Sequence, residues 1–207
     1  MHNLDTTSKQ PPTLILASAS PFRQALLKAA GVPFAVVVAP IDERAVTAKT
    51  PAALAAARAK AKAEAVAALH PDAWVIGADQ VLSHQGVAFD KVTDAASAKA
   101  RLKQLSGSTH YLHSAVHVTL GSKRAKAFIV DVAMPMRALS EKAIEAYVAT
   151  GEWQGSVGCY QFENRGVLLF DDVDADHSAI IGLPLQPLFK RLRAAGFDPL
   201  VAGAAAD

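Results

Sequence analysis

The sequence predicts an α/β domain built on a mixed sheet with flanking helices. Two observations predict it. Short apolar runs alternate with helix-like stretches in the first half. Two long alternating runs, 111–120 and 125–136, flank a polar turn in the middle and read as a hairpin. That mixture disfavours a purely parallel sheet. The chain of 207 residues carries a balanced net charge of +2 and is long enough for one full core.

The elements follow in order. Leu14–Ala17 is a short apolar run, expected as a buried strand. Ser20 is a good N-cap and Pro21 fits the first helical position, so a helix runs to about Ala30 and stops at Gly31. Phe34–Pro40 is expected as a strand that delivers Ile41-Asp42-Glu43. Thr50-Pro51 opens an alanine-rich helix to about Leu69. Trp74–Ala78 reads as a buried strand with Asp79 at its carboxyl end. A loop through Gly86 and Lys91 leads to Asp94, which caps a helix to Leu105. After the hairpin, whose turn is Gly121-Ser122-Lys123-Arg124, Ser140 starts a helix through Thr150. Gly151–Gly166 is expected as a polar loop and Val167–Phe170 as a strand. Leu183–Ala195 forms the last helix, closed by Gly196. Residues 1–12 read as a loose tail, 13–200 as one domain and 201–207 as a frayed end.

Composition limits the function classes. Alanine supplies 43 residues, read as helix filler. One cysteine, Cys159, excludes an internal disulfide framework and cysteine-rich metal sites. The small basic excess argues against a general nucleic-acid coat. No apolar run reaches the ~18 residues of a membrane span, and the N-terminus lacks the pattern of a signal peptide. The expectation is a soluble, cytoplasmic protein.

Three sites have the right residue types for chemistry. At Ser18-Ala19-Ser20-Pro21-Phe22-Arg23 a strand meets a helix start, where free N–H groups and the helix dipole favour an anion. Ser18, Ser20 and Arg23 add donors for phosphate oxygens. Asp79, just after a buried strand, stands where open α/β sheets bind ligands, and an acid there can hold a hard cation or activate water. Glu43 is a second acid at a strand end. Lys62 and Lys91 become phosphate partners if the fold brings them in. The set suits phosphoryl transfer or pyrophosphate release. No Walker loop occurs. His110, His113 and His117 do not form a metal set, because only two share a strand face. Asp172, Asp174 and Asp176 lack the glycine and terminal acid of a calcium loop.

In this order and spacing, Leu16–Arg23, Ile41-Asp42-Glu43, Gly77-Ala78-Asp79-Gln80, Leu105-Ser106-Gly107 and Gly182-Leu183-Pro184-Leu185 resemble the Maf nucleotide pyrophosphatases. The resemblance implies a cleft-bearing fold akin to the inosine-triphosphate pyrophosphatases. It implies a cut of a nucleoside triphosphate into monophosphate and pyrophosphate, with magnesium or manganese. By position, Asp79 matches the family's catalytic acid. Glu43, Arg23, Lys62 and Lys91 match its metal- and phosphate-site residues, and Ser18 and Ser20 its loop hydroxyls. Phe22, Gln80 and Glu163 resemble the branch that acts on 7-methyl-GTP rather than the pyrimidine (dTTP and UTP) branch. An aromatic at 22 suits a cationic 7-methylguanine, and Glu163 can accept from the guanine edge. The resemblance also implies a homodimer. A nucleotide-binding regulator of cell division with weak catalysis is the rival reading.

Overall fold

A computed structural model describes residues 14–121 and 124–204. The tail 1–12, the turn residues Ser122 and Lys123 and the last residues 205–207 lie outside them.

The first half winds parallel strands. β1 (Leu14–Leu16) leads into α1 (Pro21–Ala29), and β2 (Ala35–Val36) pairs parallel to β1. α2 (Pro51–Leu69) then crosses to β3 (Trp74–His84), which lies parallel to β1 on its other side. β3 turns into the short β4 (Val87–Phe89). α3 (Ala95–Leu105) precedes the long hairpin of β5 (Thr109–Leu120) and β6 (Arg124–Pro135). The sheet order is β2-β1-β3-β5-β6, with β4 beside β3, so parallel and antiparallel pairs share one sheet. α4 (Glu141–Ala149), α5 (His177–Ile181), α6 (Leu185–Ala194) and α7 (Pro199–Ala204) complete the chain.

Several boundaries differ from expectation, for identifiable reasons. The second strand is two residues, not 34–40, because ladder pairing with β1 covers Ala35 and Val36, with one further bond from the Val37 N–H to the Leu16 carbonyl. β3 does not end at Ala78. It runs on to His84, since every residue from Trp74 to Ser83 pairs with β5. Its polar members Gln80, Ser83 and His84 disguise the strand, and β4 occupies what the sequence suggests is loop. Val167–Phe170 is no strand. Arg165–Leu169 coils into a 3₁₀ turn, and Phe170 makes only an isolated bridge to Met136. Short apolar runs are ambiguous between the two forms. The last long helix begins at Leu185 rather than Leu183, and α5 is an additional short helix capped by Asp176. Val201–Ala204 continue α7 where composition suggests fraying, with Pro199 at the helix start.

Two features place the cleft. β5 covers one edge of β3 continuously. Along the other edge, β1 pairs only as far as Ile76 and β4 begins at Leu82. Among the described residues, 77–81 therefore have no strand beside them on that side, and the sheet has a gap there. The second feature is the alanine stripe of α2. Ala55, Ala59, Ala63 and Ala67 recur every four residues and are buried. Opposite them stands Gly77, where a Cβ would lie 2.1 Å from the Ala59 carbonyl oxygen. Small residues on both surfaces let α2 lie directly on the sheet. The alanine excess thus does more than fill helices: it sets the depth of the helix that carries Lys62.

Candidate active site

A cleft of about 1070 Å³ opens at the sheet gap. The loop after β1 enters from one side and the end of β4 from the other. Ser18, Ser20, Phe22, Arg23, Glu43, Lys62, Asp79, Gln80, Lys91 and Glu163 all line it.

Its centre is ionic. Asp79 points from β3 toward α2, and Lys62 meets it: the Nζ lies 2.8 Å from Asp79 Oδ1 and 2.8 Å from Glu43 Oε2. Lys62 is 6% exposed and Asp79 7%. A lysine this buried needs its charge partners, since an isolated ammonium costs far more to desolvate than a hydrogen bond returns. Glu43 is half-exposed and reaches the site from the loop before α2. Arg58, one turn before Lys62 on α2, donates from Nε to the Glu43 carbonyl at 3.1 Å and fixes that loop.

Arg23 is not a surface arginine. It is buried in the first turn of α1, donating from Nε to the Gly182 carbonyl at 2.9 Å and from Nη1 to Ser18 Oγ at 3.1 Å. Burial lowers its pKa, while Asp79 and Glu43 pull in the opposite direction. A guanidinium remains a cation throughout. Ser18 Oγ also accepts from the Ser20 N–H, and the Ser20 side chain caps α1. Gln80 points to the opposite face of β3 from Asp79. Its Nε2 donates to Ser114 Oγ and to the Ala179 and Ile180 carbonyls, tying α5 to the sheet. That amide nitrogen is therefore committed to the fold, while Gln80 also contributes to the cleft lining. Lys91 is exposed at the cleft rim after β4.

The far wall comes from residues 154–163, the polar loop. Tyr147 of α4 anchors it, accepting from the Gln161 N–H at 3.0 Å and donating to Glu152 at 3.2 Å. Tyr160 is buried, with its hydroxyl 2.7 Å from His110 Nε2 and its ring edge-on to Phe170. Burial, and secondarily His84, pushes His110 down to about 3. Gly158 is required here because a Cβ would meet the Tyr160 ring at 2.5 Å. Phe22 is half-buried and Glu163 exposed, both on the cleft surface.

The family model described as Maf-like protein matches residues 13–195. This chain belongs to the Maf family. A Bartonella quintana relative named 7-methyl-GTP pyrophosphatase is 46% identical over 191 residues, 89% of this chain and 96% of its own length. A nucleoside triphosphate pyrophosphatase of Nitrobacter hamburgensis is 44% identical over 194 residues, covering 91% and 96%. A 7-methyl-GTP pyrophosphatase of Bordetella avium is 41% identical over 192 residues, covering 92% and 97%.

This Maf-family cleft also contains residues that sequence reasoning missed. Arg44 and Arg58 add two cations, while Phe89, Tyr160 and Phe162 add aromatic surface. Arg58 had a faint signal, since it lies four residues before Lys62 and so on the same helix face. Arg44 and Phe162 adjoin the candidates Glu43 and Glu163 in sequence, whereas Phe89 and Tyr160 meet their partners only through the fold. None of the described histidines lines the cleft. His113 bridges Ser83 and Asp131 across three strands. Among the described residues, no group of three or more His, Cys, Asp or Glu is arranged to hold a metal.

Proposed function

We propose that the chain is a nucleoside triphosphate pyrophosphatase that cuts 7-methyl-GTP, or a similar modified nucleotide, to the monophosphate and pyrophosphate. The observation that carries this reading is Lys62, held 2.8 Å from both Asp79 and Glu43 in a cleft that also receives buried Arg23 and the start of α1. Such a site concentrates fixed charge around one polyphosphate.

The roles follow from the atoms. The N–H groups opening α1, with Ser18 and Ser20, receive phosphate oxygens. Arg23, Lys62 and Lys91 neutralise the leaving pyrophosphate. Asp79 orients the water that attacks the α-phosphorus and takes its proton, and Lys62 holds the carboxylate in place. Two carboxylates suit a hard divalent cation, magnesium or manganese, which typically binds one or two acids together with substrate phosphates. Each acid engages Lys62 through one oxygen, and the second oxygen of each has no protein partner among the described residues. Asp79 and Glu43 are therefore the residues that would hold it. A bound cation would supply charge neutralisation and polarise the phosphate. At the base end, Phe22 stacks on the cationic 7-methylguanine and Glu163 accepts from its edge.

Among the described residues no helix is long and apolar enough to cross a membrane. A cytoplasmic location and a homodimer belong to the same proposal. The test is a nucleotide panel with magnesium or manganese and pyrophosphate detection. Preference for dTTP or UTP would move the chain to the pyrimidine branch. Tight nucleotide binding without turnover would mark a regulator instead.

A further inference from the structure

Arg101 lies on α3, a helix that contributes no residue to the cleft lining among the described residues. Its guanidinium nonetheless touches two stretches that do line it. Nη1 donates to the Asp90 carbonyl at 3.1 Å and to the Val157 carbonyl at 3.0 Å. Its Cζ sits 4.1 Å from the centroid of the Phe89 ring. Asp90 precedes Lys91, and Val157 belongs to the wall that includes Tyr160 and Glu163.

These contacts have a specific consequence. Neither 90–93 nor 154–164 forms a strand or helix, so no ladder fixes one against the other. Backbone carbonyls in such turns need donors from elsewhere. One nitrogen serves both carbonyls and holds them side by side. A guanidinium suits this task because one terminal nitrogen carries two hydrogens while the flat face stacks on an aromatic ring.

We propose that Arg101 is a positioning residue: it clasps the Lys91 turn to the Val157 turn and so sets the span between phosphate contacts and base contacts. The inference rests on the reading of the cleft as a nucleotide site. Hydrolysis needs both ends of the nucleotide seated at once, and small misplacements are costly. The clasp thereby sets which base allows the α-phosphorus to sit correctly over Asp79.

The test compares full-length wild type with Arg101→Met and Arg101→Lys. Methionine keeps the apolar cover on Phe89 and removes both donors. Lysine keeps charge and donors but lacks the flat face. Hydrogen–deuterium exchange on the unliganded proteins is read at 87–93 and 154–163, with β3 and β5 as internal controls. Arg101→Met is expected to exchange faster in both segments and at wild-type rates in the controls. Arg101→Lys is expected to recover part of the protection. On 7-methyl-GTP, kcat/KM of Arg101→Met should fall about 10-fold or more, mainly through kcat. The ratio of kcat/KM for 7-methyl-GTP over UTP should fall with it. Unchanged exchange in the two segments, or an unchanged nucleotide ratio, would overturn the proposal. A wild type inactive on every nucleotide would overturn the functional reading instead and leave the exchange comparison to decide the clasp.

Discussion

The two walls of the cleft are built by different means. On the phosphate side, the three buried charged groups hang from regular elements: Arg23 from the first turn of α1, Lys62 from α2, Asp79 from β3. On the base side, residues 154–163 follow no ladder and are held by side chains sent from elsewhere. Tyr147 reaches in from α4, His110 from β5 and Arg101 from α3. The first wall is fixed by backbone geometry, and the second by a few polar anchors. On the proposed reading, chemistry common to every triphosphate sits on the rigid wall, and choice among bases is shared between Phe22 of α1 and the wall that single substitutions can retune.

Breaking the phosphate side should have the largest effect. Asp79→Asn is expected to lower kcat by about 10²–10⁴-fold with the fold retained, read by pyrophosphate release and a circular-dichroism melt. Full turnover in that variant would remove Asp79 from the mechanism.

The next effect concerns pH and the base side. His110 is neutral in the folded chain down to about pH 3, whereas a histidine in the unfolded chain takes a proton below its ordinary value of about 6.5. Between those values the unfolded state binds more protons, so stability falls as pH falls through the window. A loss on the order of a few kcal/mol is expected between pH 7 and pH 4. Urea titrations at both pH values check it. His110→Gln should flatten the dependence, and an equal slope in wild type and variant would assign it to other groups.

Gly77→Ala tests the seating of α2. The added methyl meets the Ala59 carbonyl and Ala63, so about 1–3 kcal/mol of stability should be lost. Turnover should fall as well, because Lys62 would move away from Asp79. Loss of stability with full kcat would uncouple helix seating from the site. Phe22→Ala should cost about 0.5–2 kcal/mol in kcat/KM for 7-methyl-GTP and much less for UTP. Equal losses on both would deny it a role in base choice. The smallest effect is expected from Tyr147→Phe. It removes the anchor on Gln161, about 1 kcal/mol, and a thermal melt at pH 7 measures it.

The same division explains what could be read from sequence. Ser18–Arg23 was legible because a cap, a proline and an arginine announce a helix start in consecutive residues. Asp79 was legible as an acid following an apolar run, although its strand continues beyond it. Lys62 could be named by resemblance, but its burial depends on Gly77 and on alanines four residues apart. Residues 154–163 gave little beyond glycines and Glu163. Their anchors lie tens of residues away, and nothing local in Tyr147, His110 or Arg101 reveals that they meet one loop. The five-residue α5 escaped notice for a different reason. It is too short for a hydrophobic period, so its signals were Asp176 as cap and Gly182, which has a φ of 104°, as terminator.

The alanine stripe of α2 also bears on how this protein can be varied in the laboratory. A substitution library over the helix should divide sharply. Exposed Ala53 and Ala68 should accept almost any good helix former. Ala55, Ala59 and Ala63, each at most 1% exposed, should reject even serine or valine. Because the same contacts set the depth of Lys62, variants selected only for survival of the fold would inherit that lysine already in register with Asp79.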